Sequence, residues 1–349
     1  MKVVAYSIKP FEKEFLIRAN RKKHDITLIS NALSAETASF ATGKDAVLVS
    51  ANDDVSAPVI NKLAELGIKY IATRSAGTDH FDKNAAENKG IKLANIPGYS
   101  PEAVAEQTAL LVLALSRNLV RANEQVHHFD FRLDELIGFN LHGKTIGIVG
   151  MSPTGLAAAA IFKGFGCRVL GYDIDSKIGH DHVPLIELRQ LLAESDIISL
   201  HAPLNDETKG MINKSAIAQM KDGVMLINTS RGGLIRIADV LNALDSGKIG
   251  YLGLDVYESE KELFSEGYKN DDQKDALLKK LTDHPNALIT PHQGFLTKEA
   301  LQEIANQTIN NLDLWQQEKC VGDACASNKK CNEKTSDNPV TSDHMNLLP

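Results

Sequence analysis

Ile146-Gly147-Ile148-Val149-Gly150-Met151-Ser152-Pro153-Thr154-Gly155 is the stretch on which the reading of this 349-residue chain turns. A short apolar, β-branched run ends in a glycine. The chain then passes a Ser-Pro pair into an Ala-rich helical segment, 156–164. The next apolar run, Arg168-Val169-Leu170-Gly171-Tyr172, ends in Asp173. Strand, glycine turn, helix, strand and terminal acid are the parts of a dinucleotide-binding βαβ unit. Gly150 suits the tight turn and Gly155 a close helix–strand approach. Asp173 lies 23 residues beyond Gly150, placed to reach the adenine-ribose hydroxyls; an acid there favours NAD and repels the extra phosphate of NADP.

The fingerprint departs from its usual form at Ser152-Pro153, where a second glycine commonly stands. Serine is small and can cap a helix whose first residue is Pro153. Such a helix start still turns its positive end and free N–H groups toward phosphate. Proline withholds one donor, so a weaker hold on the cofactor is the expected consequence.

Outward from this unit the same rhythm repeats. Apolar runs at 3–6, 26–29, 46–49, 70–73 and 92–95 precede it, and runs at 197–200, 225–228, 252–255 and 287–290 follow it. Strands alternating with helical stretches predict parallel sheets covered on both faces. Eleven strands divide into five and six, giving an α/β protein of two Rossmann-like, doubly wound domains. The division falls at Gly98-Tyr99-Ser100-Pro101, where Ser100 reads as an N-cap and Pro101 as the first residue of a buried helix to about residue 118. A second crossing is expected after Phe295. There 297–317 reads as an amphipathic helix, with Leu301, Ile304, Ala305, Ile309 and Leu312 at helical spacing, returning to the first domain. The expected domains are therefore 1–99 with 297–320, and 100–296, with 321–349 a disordered polar tail.

Composition bounds the function. A net charge of −7 argues against a dedicated nucleic-acid binder. No run of about 18 apolar residues marks a membrane span, and the N-terminus reads as a strand rather than a signal. Of the four cysteines, Cys167 falls in the core pattern, while Cys320, Cys325 and Cys331 cluster near the end without a CxxC pair. Neither a disulfide framework nor a metal site is expected, and a reducing cytoplasm is the expected compartment.

Three more segments carry chemistry, each following a strand: Asn228-Thr229-Ser230-Arg231-Gly232-Gly233, Gly253-Leu254-Asp255-Val256-Tyr257-Glu258-Ser259-Glu260, and Thr290-Pro291-His292-Gln293-Gly294-Phe295. In open α/β sheets ligands bind beyond the carboxyl ends of strands. Together with a nicotinamide site, these residues suit reduction of a 2-keto acid. Arg231 can grip the carboxylate with its planar fork, His292 can pass a proton to the carbonyl oxygen, and Glu260 can hold the imidazole in one tautomer. Asp255 is expected on the cofactor side. Taken singly, each of the four has a bland alternative as a solvated or turn-capping residue.

These motifs resemble the D-isomer-specific 2-hydroxyacid dehydrogenases, over about residues 1–320. Weaker support comes from Arg74-Ser75-Ala76-Gly77-Thr78-Asp79 and Pro101-Glu102-Ala103-Val104-Ala105-Glu106. The resemblance implies a catalytic set of Arg231, Glu260 and His292. It implies a substrate carboxylate held by the backbone of Ala76 and Gly77 with Tyr99 nearby, and Phe295 trimming the side-chain pocket as in the lactate-forming branch. NAD contacts are implied at Pro153, Thr154, Asp173, Ala202, Pro203, Thr208, Thr229, Ser230 and Asp255, beside Gly150, Ser152 and Gly155 of the loop. It further implies an active site between two domains and a homodimer or homotetramer. Glu260 argues against the formate-oxidising branch, which carries Gln there. The expected reaction is reversible NADH-dependent reduction of pyruvate to D-lactate. A bulkier D-2-hydroxy acid and a nucleotide-sensing, non-catalytic homologue remain as alternatives. The charged insertion at 261–281 is expected at the surface.

Overall fold

Two wholly parallel sheets organise the computed structural model, which describes residues 1–175, 183–258, 260 and 275–327. The first sheet holds β1 (Lys2–Ala5), β2 (Asp25–Leu28), β3 (Ala46–Val49), β4 (Tyr70–Thr73) and β5 (Lys92–Ala94), in the order β2-β1-β3-β4-β5. Interleaved with it are α1 (Pro10–Asn20), α2 (Ala57–Glu65) and α3 (Lys83–Asn88). Alternate residues face opposite layers, as strand geometry requires. Val4, Val47, Val49, Ile71 and Leu93 pack with Val59, Ile60 and Leu63 of α2. Val3, Ala5, Ala46 and Leu48 face the other way, onto Leu16 of α1.

The second sheet begins after α4 (Pro101–Ser116) and α5 (Leu119–His127). It comprises β6 (Thr145–Val149), β7 (Arg168–Tyr172), β8 (Ile197–Leu200), β9 (Val224–Asn228), β10 (Ile249–Leu254) and β11 (Ala287–Ile289). Its helices are α6 (Pro153–Gly164), α7 (Leu188–Glu194), α8 (Lys214–Ala218), α9 (Ile237–Asp245) and α10 (Ala276–Asp283). The order β11-β10-β9-β8-β6-β7 reverses between β6 and β8, and such a switch point opens a crevice for a ligand. α4 and α6 cover one face through Leu111, Val112, Leu115, Ala158 and Phe162. The opposite face meets α7, α8 and α9 through Leu191, Ile217, Val240 and Leu244.

The two helix starts at Ser100-Pro101 and Thr297 form with the caps read from the sequence. Ser100 caps α4, its Oγ accepting the Ala103 N–H, and Pro101 is the first helical residue. Thr297 caps α11 (Lys298–Gln316) in the same way through Ala300 N–H. Ile309, Leu312 and Trp315 of α11 then pack on the first sheet, where Trp315 stacks on Tyr70 with ring centroids 4.8 Å apart. Among the described residues no single helix is long and apolar enough to cross a membrane.

Two expectations are corrected. Residues 321–327, read as the start of a disordered tail, lie along the edge of the first sheet. Cys325 bridges Ala94, Ala326 N–H donates to Leu93 O at 3.0 Å, and Val321 and Ala326 are buried. Hydrogen bonds to the sheet edge hold this segment, and its buried apolar residues are too few to show as periodicity. Cys320 is disulfide-bonded, where no disulfide was expected. Residues 328–349, and 261–274 of the charged insertion, lie outside the described residues.

Candidate active site

Loops after seven strands of the two sheets meet around one cleft of about 630 Å³. The first domain contributes Ala76, Gly77, Thr78, Asp79 and Tyr99; the second contributes Ser152, Pro153, Thr154, Ala202, Pro203, Thr229, Ser230, Arg231, Asp255, His292 and Phe295. Every one follows the carboxyl end of a strand, where side chains can point at a ligand without breaking the ladder.

The dinucleotide corner fits its cofactor. Gly150 has φ +97°, and a β-carbon there would fall 2.6 Å from Ala202 N; one on Gly155 would strike the Gly150 carbonyl. Only glycine allows these approaches. Ser152 caps α6 by accepting the Gly155 N–H at 3.4 Å, and Pro153 is the first helical residue. The Ser-Pro pair therefore keeps the helix start turned toward a phosphate. Asp173 stands at the tip of β7 and accepts Met151 N–H at 2.8 Å, so the acid that would meet the ribose also braces the glycine loop. Ser230 Oγ donates to Ala202 O at 2.7 Å, joining two stretches of the wall. Thr229 Oγ1 is 2.8 Å from Thr108 Oγ1 of α4. Thr208 does not line the cleft; its hydroxyl donates to Pro203 O at 2.6 Å and shapes that turn.

His201 also lines the cleft, and the sequence reading passed over it. Ser199 Oγ lies 2.8 Å from its Nε2, and its Nδ1 is buried without a partner. Burial holds this imidazole down at about 4, so it is neutral at ordinary pH. An unpaired buried polar atom on the cofactor side of the cleft suits a ligand that itself carries hydrogen-bonding groups.

At the other end His292 Nδ1 lies 2.9 Å from Glu260 Oε1. His292 has φ +53°, in the left-handed region that a side chain enters at a cost of about 1–3 kcal/mol. Asp255 keeps it there. Its buried carboxylate accepts Gln293 N–H at 3.0 Å, Gly294 N–H at 2.8 Å and the Thr290 hydroxyl. Gln107 of α4 adds a bond to Thr290 Oγ1 at 3.1 Å. Asp255, expected on the cofactor side, thus lines the cleft but spends its oxygens on the histidine loop. Gln107 gave no signal of its own in the sequence, since it stands between Glu106 and Thr108 in the polar part of that helix.

Arg231 reaches across between the domains. Its Nε donates to Asp79 Oδ1 at 3.2 Å and Nη1 to Ser230 O at 2.8 Å, while Nη2 lies over Gly77. Part of the fork is therefore taken up by the protein, and Nη2 is the arm beside the Ala76-Gly77 backbone. Burial would raise the Asp79 carboxyl, but the Arg231 charge and hydrogen bonds outweigh it and hold the group below the usual range. Burial pushes the Tyr99 phenol up, so it stays a neutral hydroxyl. Phe295 meets His292 edge-on, ring centroids 6.3 Å apart, and faces Phe11 at 6.4 Å.

Comparison with known proteins shows the family to which this fold belongs. Residues 109–294 match the family model for the D-isomer specific 2-hydroxyacid dehydrogenase, NAD binding domain. A D-lactate dehydrogenase of Curvularia clavata is 43% identical over 321 residues, 90% of this chain and 92% of that one. The solved pyruvate reductase of Chlamydomonas reinhardtii superposes with a TM-score of 0.85 at 40% identity, covering 93% of this chain and 98% of the other. A D-lactate dehydrogenase from Aquifex aeolicus, solved with NAD and lactic acid, gives a TM-score of 0.82 at 32% identity, covering 91% and 96%. With two parallel-sheet domains, a dinucleotide loop, and a cleft lined by Arg231 and the Glu260-paired His292, the chain belongs to the D-isomer-specific 2-hydroxyacid dehydrogenases and carries their NAD-binding domain.

Proposed function

We propose that this enzyme reduces pyruvate stereospecifically and reversibly to D-lactate, drawing on NADH. The observation that carries the reading is His292, paired with Glu260 at 2.9 Å and lining one cleft with Arg231 and Ser152, Pro153 and Thr154 of the dinucleotide loop. The names of similar proteins, a pyruvate reductase and a D-lactate dehydrogenase holding NAD and lactic acid, support the same substrate class.

NAD, when bound, supplies or takes up the hydride at the substrate carbon. In our reading residues 1–99 with 297–320 form the substrate domain and 100–296 the NAD-binding domain. Gly150, Ser152, Pro153, Thr154, Gly155, Asp173, Ala202, Pro203, Thr229 and Ser230 form the cofactor's walls, with Thr208 holding the Pro203 turn and Asp255 the His292 loop. Arg231 and the backbone of Ala76 and Gly77 hold the carboxylate, which turns the carbonyl toward His292. Glu260 occupies Nδ1, leaving Nε2 to give a proton to the carbonyl oxygen in reduction and take it back in oxidation. Tyr99 and Phe295 close the space around a small substrate side chain.

We also infer a homodimer or homotetramer. Supporting assembly, α5 and the loop after it expose Leu119, Val120, Phe129, Phe131, Leu133 and Ile137, with Phe129 at 88% and Ile137 at 83% exposure. An apolar patch of this kind is characteristic of an interface.

The deciding experiment follows NADH absorbance in the purified protein with pyruvate, with a bulkier 2-keto acid, and with neither. Rapid pyruvate-dependent oxidation yielding D-lactate supports the proposal. Faster turnover of the bulkier acid would replace the substrate, and no turnover of any 2-keto acid, with NADH still bound, would leave a nucleotide-binding protein.

A further inference from the structure

The carboxylate site, as read above, rests on the loop 75–79, and this loop is pinned from behind. Asn95 Nδ2 donates to Ala76 O at 2.7 Å. Ser75 Oγ donates to Gly77 O at 3.1 Å and lies 2.7 Å from Thr73 Oγ1. In a trans peptide the carbonyl of one residue and the N–H of the next point in opposite directions. Holding Ala76 O on the Asn95 side therefore sends the Gly77 N–H the other way, and holding Gly77 O does the same for the Thr78 N–H. Ala76, Gly77 and Thr78 all line the cleft, where Arg231 lies against Gly77. Among the described residues, none of these three N–H groups donates a hydrogen bond within the protein. Successive backbone N–H groups left over by the fold, beside an arginine, form a concave anion-binding surface.

Asn95 is itself held from both ends. Its carbonyl accepts Asn311 Nδ2 of α11 at 3.1 Å, and its N–H donates to Ala324 O at 2.9 Å. Asn311 is only 2% exposed, a buried amide committed to this contact.

We propose that Asn95 is a positioning residue that aims the Gly77 N–H at the substrate carboxylate, and that Asn311 holds Asn95 for this task. The inference rests on the 2-keto acid reading of the cleft. Asn95 does not touch the reacting atoms; it acts through the Ala76–Gly77 peptide. An aspartate in its place cannot donate to Ala76 O, and its charge repels that carbonyl toward the cleft.

The test uses the NADH-loaded enzyme and the Asn95→Asp, Asn95→Gln and Asn311→Ala variants. Four quantities are measured: KM for pyruvate, calorimetric affinity for oxamate (an unreactive carboxylate analogue), Kd for NADH, and Tm. In Asn95→Asp the pyruvate KM and the oxamate Kd rise about tenfold or more, the loss of one well-made hydrogen bond and its orientation. NADH Kd stays within about twofold. Asn95→Gln keeps an amide donor and recovers part of the affinity, and Asn311→Ala gives a smaller rise of the same kind. Unchanged pyruvate and oxamate constants in Asn95→Asp would overturn the inference while leaving the enzyme's function standing. Equal weakening of pyruvate, oxamate and NADH, with lowered Tm and no recovery in Asn95→Gln, would make Asn95 a structural residue only. A parent enzyme that binds neither pyruvate nor oxamate would overturn both the inference and the reading beneath it.

Discussion

Arg231 lies across the domain boundary with its Nη2 directly over the α-carbon of Gly77, in the space a β-carbon would occupy. The two residues stand on different sheets, and the arginine comes this close only because the other has no side chain.

Gly77→Ala therefore displaces the arginine. The far end of a flexible side chain moves at little cost to folding, but the hydrogen bonds to the substrate that we propose for it would not survive the move. We expect Tm to stay within about 2 °C and the pyruvate KM to rise roughly 10- to 100-fold, the value of one charge-assisted hydrogen bond. Kinetics and calorimetry on the variant check both; an unchanged KM would remove Gly77 from the carboxylate site. Arg231→Lys should not restore what Arg231→Gln loses, since an ammonium cannot hold Asp79, Ser230 O and a carboxylate in one plane.

His292→Ala should lower kcat by about 10²- to 10⁴-fold, the usual share of a positioned proton donor. NADH binding, followed by fluorescence, should be retained. Glu260→Gln should cost about 10- to 100-fold, because the amide can still meet Nδ1 but can present the wrong tautomer to the substrate. Loss of NADH binding in His292→Ala, in place of lost turnover, would refute the proton-donor role.

Acid should destabilise this protein before its carboxylates titrate. Burial keeps His201 neutral in the fold, down to about 4, and burial with the nearby N-terminal charge lowers His24 as well. The unfolded chain protonates both near 6.5, so it binds more protons than the native state between about 6.5 and 4. The stabilisation is complete above that window and is lost as pH falls through it. Tm measured from pH 7.5 to 4.5 should decline below about 6.5, and His201→Gln should flatten the decline. A Tm independent of pH across this range would contradict the burial argument.

Much of the fold was legible because parallel strands buried on both faces must be apolar runs, and the loops beyond them must carry the chemistry. The runs at 46–49, 70–73, 168–172 and 197–200 form strands with those same bounds. β10 starts three residues earlier than its apolar pattern indicates, since Gly250 interrupts the run and the register shifts between Ile249 and Tyr251. Segment 321–327 escaped notice because its order comes from hydrogen bonds to β5, which leave no periodicity.

By itself the sequence determined the two-sheet α/β architecture, the capped helix start at Ser100-Pro101, the dinucleotide turn with its Ser-Pro variation, and which arginine, glutamate and histidine follow strand ends. Each of these is written in local spacing. Only the tertiary structure decided that Asp255 clamps the His292 loop, that Arg231 is braced by Asp79, 152 residues away in sequence, and that the Asn95 amide donates to Ala76 O. These are contacts between segments brought together by folding. A donor and an acceptor distant along the chain carry no shared pattern until packing sets them a hydrogen bond apart.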